Sequence, residues 1–257
     1  MKKIVLIMLF ASALIAQSKG DDWRENRDLF DVQTSKHFIL YSFKEKYDKN
    51  KVDQFLTERE TGYLKLQDFF ELDKELKVNL YIFPDQEVKY KLTQHRGLGW
   101  GTEKEIVEVF NDSVKLDPYH ELIHIFNYKF GAPNAMIDEG LAVYLSDELG
   151  GKFFQKMLGY ENKSLVEVYK ILIKRNPEFN YNKLFELKDI SESKNVPLAY
   201  ISSALITKQL VKKYGKDKLL EYIRNCKGEE INYFETFKKV YDFSFESFSS
   251  DCLKQYR

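Results

Sequence analysis

The chain has 257 residues, of which 44% are hydrophobic and 31% charged. That composition excludes wholesale disorder and allows one large domain or two small ones with a substantial core. Lys+Arg and Asp+Glu balance at 40 each, which argues against nucleic acid or a polybasic membrane contact as the main partner.

At the N-terminus, Lys2 and Lys3 precede the apolar run Ile4 to Ile15, with Ala13, Ala16 and Ser18 as small residues near a cleavage point. This is the pattern of a secretory signal peptide over residues 1–18. The run falls short of the about 20 apolar residues that a membrane span needs. No Cys follows it to carry a lipid, and no later stretch approaches membrane length. The expectation is an exported mature protein, periplasmic or secreted, with no stable membrane insertion. Residues 19–35 are polar, lack periodicity and are expected to be a lead-in. Residues 36–257 then form one domain, with an α/β half over 36–116 and a helical half over 117–257.

In chain order, His37 to Ser42 is expected to be a strand. Lys51 to Glu71 places Val52, Phe55, Leu56, Tyr63, Leu64, Leu66, Phe69 and Phe70 at helical spacing. Lys77 to Phe83 alternates and stops at Pro84, a second strand. Asp85 to Leu92 suits a short helix. Gly97, Gly99 and Gly101 have neither dinucleotide spacing nor a Lys-Ser/Thr ending, so a turn or bulge is expected there rather than a phosphate loop. Ile106 to Phe110 is a further strand. From residue 117 the pattern is almost all helix, over 117–130, 134–149, 151–158, 164–174, 198–213, 216–226, 231–240 and 245–255, punctuated by Gly131, Pro133, Pro177, Pro197 and Gly215. A small mixed sheet followed by a helical half is an α+β arrangement.

The helical half opens with Asp117-Pro118-Tyr119-His120-Glu121-Leu122-Ile123-His124. Positions four apart share a helix face, so His120 and His124 can point at one metal ion. Glu121 projects beside that pair, where it can hold and deprotonate a water. Asp117 suits an N-cap and Pro118 the first helical position. The combination predicts a zinc-dependent hydrolase.

Two histidines are one protein ligand short of a catalytic zinc site. The remaining histidines are His37 and His95, and positions 127 and 130 hold Asn and Phe, which excludes the three-histidine metzincin pattern. The third ligand is expected to be Glu139, early in the next helix after a short turn containing Gly131 and Pro133. Asp138 competes for that role, but a helical step of about 100° turns it from the face of Glu139. The small residues Gly140 and Ala142 are expected to let the second helix approach the first.

Two cysteines, Cys226 and Cys252, lie near the C-terminus. In an exported protein two is the number that forms a single bridge, so a disulfide between them is expected.

His120-Glu-x-x-His124 followed by Glu139-Gly140-Leu141-Ala142-Val143-Tyr144 resembles the gluzincin zinc metallopeptidases, in particular the bacterial peptidase MA-like group. A weaker pattern-level similarity extends over residues 36–256. The resemblance implies a zincin-like fold and one Zn2+ per chain held by His120, His124 and Glu139. It further implies Glu121 as general base and a peptide or protein as substrate. It also suggests that the strand around Ile106 to Phe110 is a sheet edge along which a peptide lies. An oxyanion donor is needed as well. Tyr200 is the candidate, being in the helix that best matches after the metal motifs, with His95 and Tyr144 as alternatives. A catalytically silent relative that binds a peptide or cell-envelope partner is the other reading, and the intact Glu121 favours the enzyme. Hydrolysis of a non-peptide substrate stays open on ligands alone.

Overall fold

The computed structural model describes residues 23–228 and 230–256. The signal segment lies outside the described residues. Among those residues are a five-stranded mixed sheet and ten α-helices, an α+β chain. The strands are β1 (Phe30–Thr34), β2 (Phe38–Phe43), β3 (Val78–Phe83), β4 (Gly99–Gly101) and β5 (Glu105–Val109), in the order β1-β2-β3-β5-β4. β2, β3 and β5 run parallel, while β1 and β4 close the two sides antiparallel. Helix α1 (Lys49–Phe70) crosses from β2 to β3, and α2 (Gln86–Thr93) leads from β3 toward β4.

Two sequence expectations change here. Residues 30–34, expected to be lead-in, pair with β2 through the whole length of β1. Five residues of which only one is buried carry too weak an alternation to be recognised. The strand at Ile106 to Phe110 is not an edge, because β5 pairs with both β3 and β4. On this side of the sheet the edge strand is β4, the segment expected to be a glycine turn, and β1 is the edge on the other side.

Alternation along the strands divides the sheet between two cores. Phe38, Leu40, Leu80, Ile82 and Ile106 join the main core under the helices. Tyr81, Phe83 and Val107 face the other way, against Trp23 and Phe30. On the main side, α1 buries Val52, Phe55, Leu56, Arg59, Gly62, Tyr63, Leu66 and Phe70. Leu64, assigned to that stripe from spacing, is exposed.

The helical half contains α3 (His120–Phe130), α4 (Ala135–Glu148), α5 (Phe153–Met157), α6 (Leu165–Arg175), α7 (Val196–Tyr214), α8 (Lys216–Asn225), α9 (Tyr233–Tyr241) and α10 (Phe245–Lys254). α7 is the central post, buried almost continuously from Leu198 to Thr207 and packed against α4, α6, α8 and α10. It starts two residues before the expected 198, with Pro197 in its first turn and the Asn195 side chain accepting from the Leu198 N–H.

Helices α3 and α4 meet through a turn whose glycine has a packing reason. A Cβ at Gly131 would run into the Ile223 carbonyl of α8. Gly140 does not bring α4 to α3 as expected. Its Cβ position lies 2.5 Å from Thr207 Oγ1 and 2.6 Å from the Ser203 carbonyl, so it sets the approach of α4 to α7. Because Glu139 precedes it, that contact also fixes where Glu139 stands.

The expected disulfide is absent. Cys226 and Cys252 are free, buried thiols. Cys226 follows α8 beside the Tyr222 hydroxyl, whereas Cys252 Sγ approaches the Leu205 carbonyl of α7 at 3.9 Å. Each thiol is seated in its own packing environment, and burial pushes them up to about 11 and about 12 respectively.

Two measurements follow. Gly140→Ala overpacks the α4–α7 contact and should cost about 1–3 kcal/mol, read as a lower denaturant midpoint with an unchanged slope. Thiol titration should give two reactive thiols per chain in denaturant without reductant and almost none in the native protein, a contrast that an intact bridge would abolish.

Candidate metal centre

The start of α3 is held by a buried polar network. Asp117 Oδ1 accepts from the Tyr119 N–H at 2.9 Å and the His120 N–H at 3.1 Å, satisfying free donors of the first turn. The expected cap is displaced: α3 starts at His120 with Tyr119 as its N-cap, so Asp117 and Pro118 precede the helix, and the Asp117 carboxylate instead holds the approach to its first turn. Its other oxygen accepts from Ser146 Oγ of α4 at 2.7 Å. The guanidinium of Arg59, from α1, donates to the Asp117 carbonyl at 2.6 Å, the Leu116 carbonyl at 3.2 Å and Glu108 Oε1 of β5 at 2.5 Å. Arg59 is 2% exposed and Glu108 0%. Burial raises the Glu108 carboxyl to about 7 against the opposing pull of Arg59.

On this base His120, His124 and Glu139 converge. One ligand atom from each lies within 4.8 Å of the others. Glu139 Oε2 is 3.3 Å from His120 Nε2 and 3.6 Å from His124 Nε2. Glu139 divides its oxygens: Oε1 accepts from the Tyr200 hydroxyl at 3.1 Å, while Oε2 is buried without a hydrogen-bond partner. That oxygen makes no hydrogen bond but lies within ion-pair distance of both imidazole nitrogens, so three donors converge on one point that a cation would complete. Two imidazoles and a carboxylate are a donor set that suits zinc.

The orientation of His124 is also fixed. Its Nδ1 is 2.9 Å from Asp138 Oδ2, and Asn127 Nδ2 donates to Asp138 Oδ1 at 2.6 Å. A neutral His124 that donates its Nδ1–H to Asp138 would present its Nε2 lone pair to a metal ion. Burial opposes charge on His124, yet Asp138 and then Glu139 raise it to about 10. His120 is raised too, against burial, chiefly by Glu139 and Glu121. The centre therefore carries excess negative potential that favours a cation.

Glu121 is 6% exposed, and burial raises its carboxyl while His120 and His124 pull it back. Strand β4 presses on it. A Cβ at Gly101 would lie 2.6 Å from the Glu121 carbonyl, and one at Gly99 would lie 3.3 Å from Glu121 Oε1. The two glycines let the free sheet edge pass directly over the start of α3.

All four predicted site residues on α3 and α4 come together. Asp138 is outside the ligand cluster and serves as the partner of His124. Tyr200 reaches the site, but its hydroxyl is engaged with Glu139, which makes it a positioning residue in this arrangement. His95 is on the other side of β4, its ring 4.5 Å from Trp100 and its Nδ1 accepting from the Gly97 N–H at 3.2 Å. Tyr144 points toward Lys208, whose Nζ is 5.8 Å from its ring. His37 stacks on Tyr63 at 3.8 Å and bonds Glu60 at 2.5 Å, a structural histidine.

Arg59, Glu108 and Ser146 escaped the sequence analysis. A signal existed for two of them. Arg59 falls on the buried 52-55-56-63 stripe of α1, and Glu108 shares the inward face of β5 with Ile106. No protein-family model matches the chain, and no curated protein sequence matches it.

If Asp138 orients a ligand, Asp138→Ala should weaken zinc affinity about 10–100-fold. Glu139→Ala, which removes a ligand, should weaken it further. Competition titration with a chromophoric chelator measures both, and an unchanged affinity in Asp138→Ala would contradict the assigned role.

Proposed function

We propose that this protein is a zinc metallopeptidase of the gluzincin kind, hydrolysing peptide bonds with His120, His124 and Glu139 as ligands and Glu121 as general base. The observation that carries this reading is the convergence of Glu139 Oε2, which makes no hydrogen bond, with two imidazole nitrogens, beside the buried carboxylate of Glu121. A zinc ion there would supply Lewis acidity for a carbonyl and bring the pKa of a water to about 7.

The chain's own residues account for the remaining tasks. Glu121 holds the attacking water and accepts its proton on a carboxylate oxygen, then returns it to the leaving amine. Burial favours the protonated form that this return requires, while the two histidines keep the carboxylate accessible. Asp138 and Tyr200 hold His124 and Glu139, so that little reorganisation accompanies the reaction. The free edge of β4 offers backbone hydrogen bonds to an extended peptide, and its nearness to Glu121 aligns such a strand with the ligands.

An exported location is part of the proposal, supported by the charged and apolar pattern of residues 1–18. No helix of the described residues is long and apolar enough to cross a membrane.

Metal analysis of the purified protein should give one zinc per chain, and a broad peptide library should be cleaved. Glu121→Gln should retain the zinc and lose at least about 100-fold in kcat, the scale of a general base. Zinc retained with no cleavage by the unaltered protein would replace the enzyme with a peptide-binding relative.

A further inference from the structure

Among the described residues two Lys or Arg side chains are buried, Arg59 and Lys89. Arg59 has a carboxylate to face, Glu108. Lys89, on α2, is 0% exposed and forms no salt bridge among the described residues; its amine meets neutral groups instead. Nζ donates to the His95 carbonyl at 3.1 Å, is 3.3 Å from His95 Nδ1 and sits 4.5 Å from the centre of the Trp100 ring. Burying an amine among neutral partners carries a desolvation cost that an apolar side chain of similar length avoids, and burial pushes Lys89 down to about 7. No step assigned to Glu121, Asp138 or Tyr200 uses it.

What Lys89 holds is the way into β4. His95 lies in the connection from α2 to β4, and Gln86, one turn earlier on α2, donates to the next carbonyl, that of Arg96. The His95 ring reinforces the connection, because its Nδ1 also accepts from the Gly97 N–H at 3.2 Å. Trp100 is the middle residue of β4 and pairs with Val107 of β5. Alternation turns its side chain away from the face of Gly99 and Gly101, so Trp100 packs on the second core while the two glycines press on Glu121. Strand β4 is thus gripped from both faces, by Glu121 of α3 on one and by Lys89 of α2, through Trp100, on the other.

The strand needs such a grip. It has three residues, two of them glycine, and pairs only with β5, so its own chain confers little stiffness. An edge that binds an extended peptide through its backbone loses affinity if it must first be ordered. We infer that Lys89 is a positioning residue for substrate binding, which holds β4 against Glu121 where the edge can pair with an extended peptide. This inference rests on the peptidase reading, in which β4 is the substrate-binding edge. An apolar side chain would fill the same space, but only a cationic donor can hold the His95 carbonyl and the Trp100 face together.

The test compares Lys89→Met and Lys89→Arg with the unaltered protein, each as the zinc-loaded full chain. Hydrogen exchange without peptide should be about tenfold faster or more over 96–101 in Lys89→Met, with α7 unchanged and zinc stoichiometry intact. On a fluorogenic peptide that the unaltered protein cleaves, Lys89→Met should lower kcat/KM about tenfold, with the loss in KM and not in kcat. Lys89→Arg, which keeps a cationic donor, should recover most of both. If Lys89→Met does not fold, Lys89→Gln, too short to reach the His95 carbonyl, reads the same pair of changes. Unaltered exchange over 96–101 would overturn the inference and leave Lys89 as core filling. Faster exchange with an unchanged KM would overturn it too, as would a loss confined to kcat. Failure of the unaltered protein to cleave any peptide would instead sink the peptidase reading, and exchange over 96–101 would still decide whether Lys89 holds the strand.

Discussion

The buried guanidinium of Arg59 ties the sheet, the crossover helix α1 and the approach to α3 into one unit. It reaches Glu108 on β5 and the carbonyls of Leu116 and Asp117 in the segment that leads into α3. Asp117 carries the connection onward, one oxygen to the first turn of α3 and the other to Ser146 of α4. Removing either member of a buried ion pair leaves an uncompensated charge, which is far costlier than never having built the pair. The network therefore tolerates little displacement among β5, α1, α3 and α4. His120 and Glu121 inherit that constraint because they occupy the first two positions of α3.

Glycines do for backbone approach what the ion pair does for anchoring. Gly99 and Gly101 let the free edge of β4 lie against Glu121, and Gly140 lets α4 close onto α7. A methyl group would meet the Leu116 side chain at Gly99, the Glu121 carbonyl at Gly101, and Thr207 Oγ1 and the Ser203 carbonyl at Gly140. The candidate ligand Glu139 is thus set by α7, a helix outside the His120, His124 and Glu139 cluster. Its two oxygens then separate in role, one held by Tyr200 of α7 and one left for a cation. A centre with two imidazoles among several buried carboxylates holds negative potential in a low-dielectric setting, which would favour a divalent cation.

Much of this site was legible in the linear chain because its determinants are local. His120, Glu121 and His124 are fixed relative to each other by helix geometry alone, and Glu139 follows one short turn later. Helix limits after residue 117 were recoverable for the same reason, since caps, prolines and apolar spacing act within a few residues. Where the chain misled, the deciding partner was distant. The alternation in β1 is too brief to register, and its strand character comes from pairing with β2. The 99–101 segment reads as a turn until β5 pairs with it. The cysteines suggest a bridge by number, but packing gives each thiol a separate place.

Taken alone, the sequence determined the α+β class, the order of most elements and the four residues that face one another at the candidate centre, because periodicity, capping and one-turn spacing are short-range effects. Only the tertiary structure decided that β4 is the edge strand beside α3, that Asp138 orients His124, that Tyr200 holds Glu139 and that Arg59 anchors the whole assembly. Each of those is a contact between elements. Its energy depends on burial and on partners that a window of neighbouring residues does not contain.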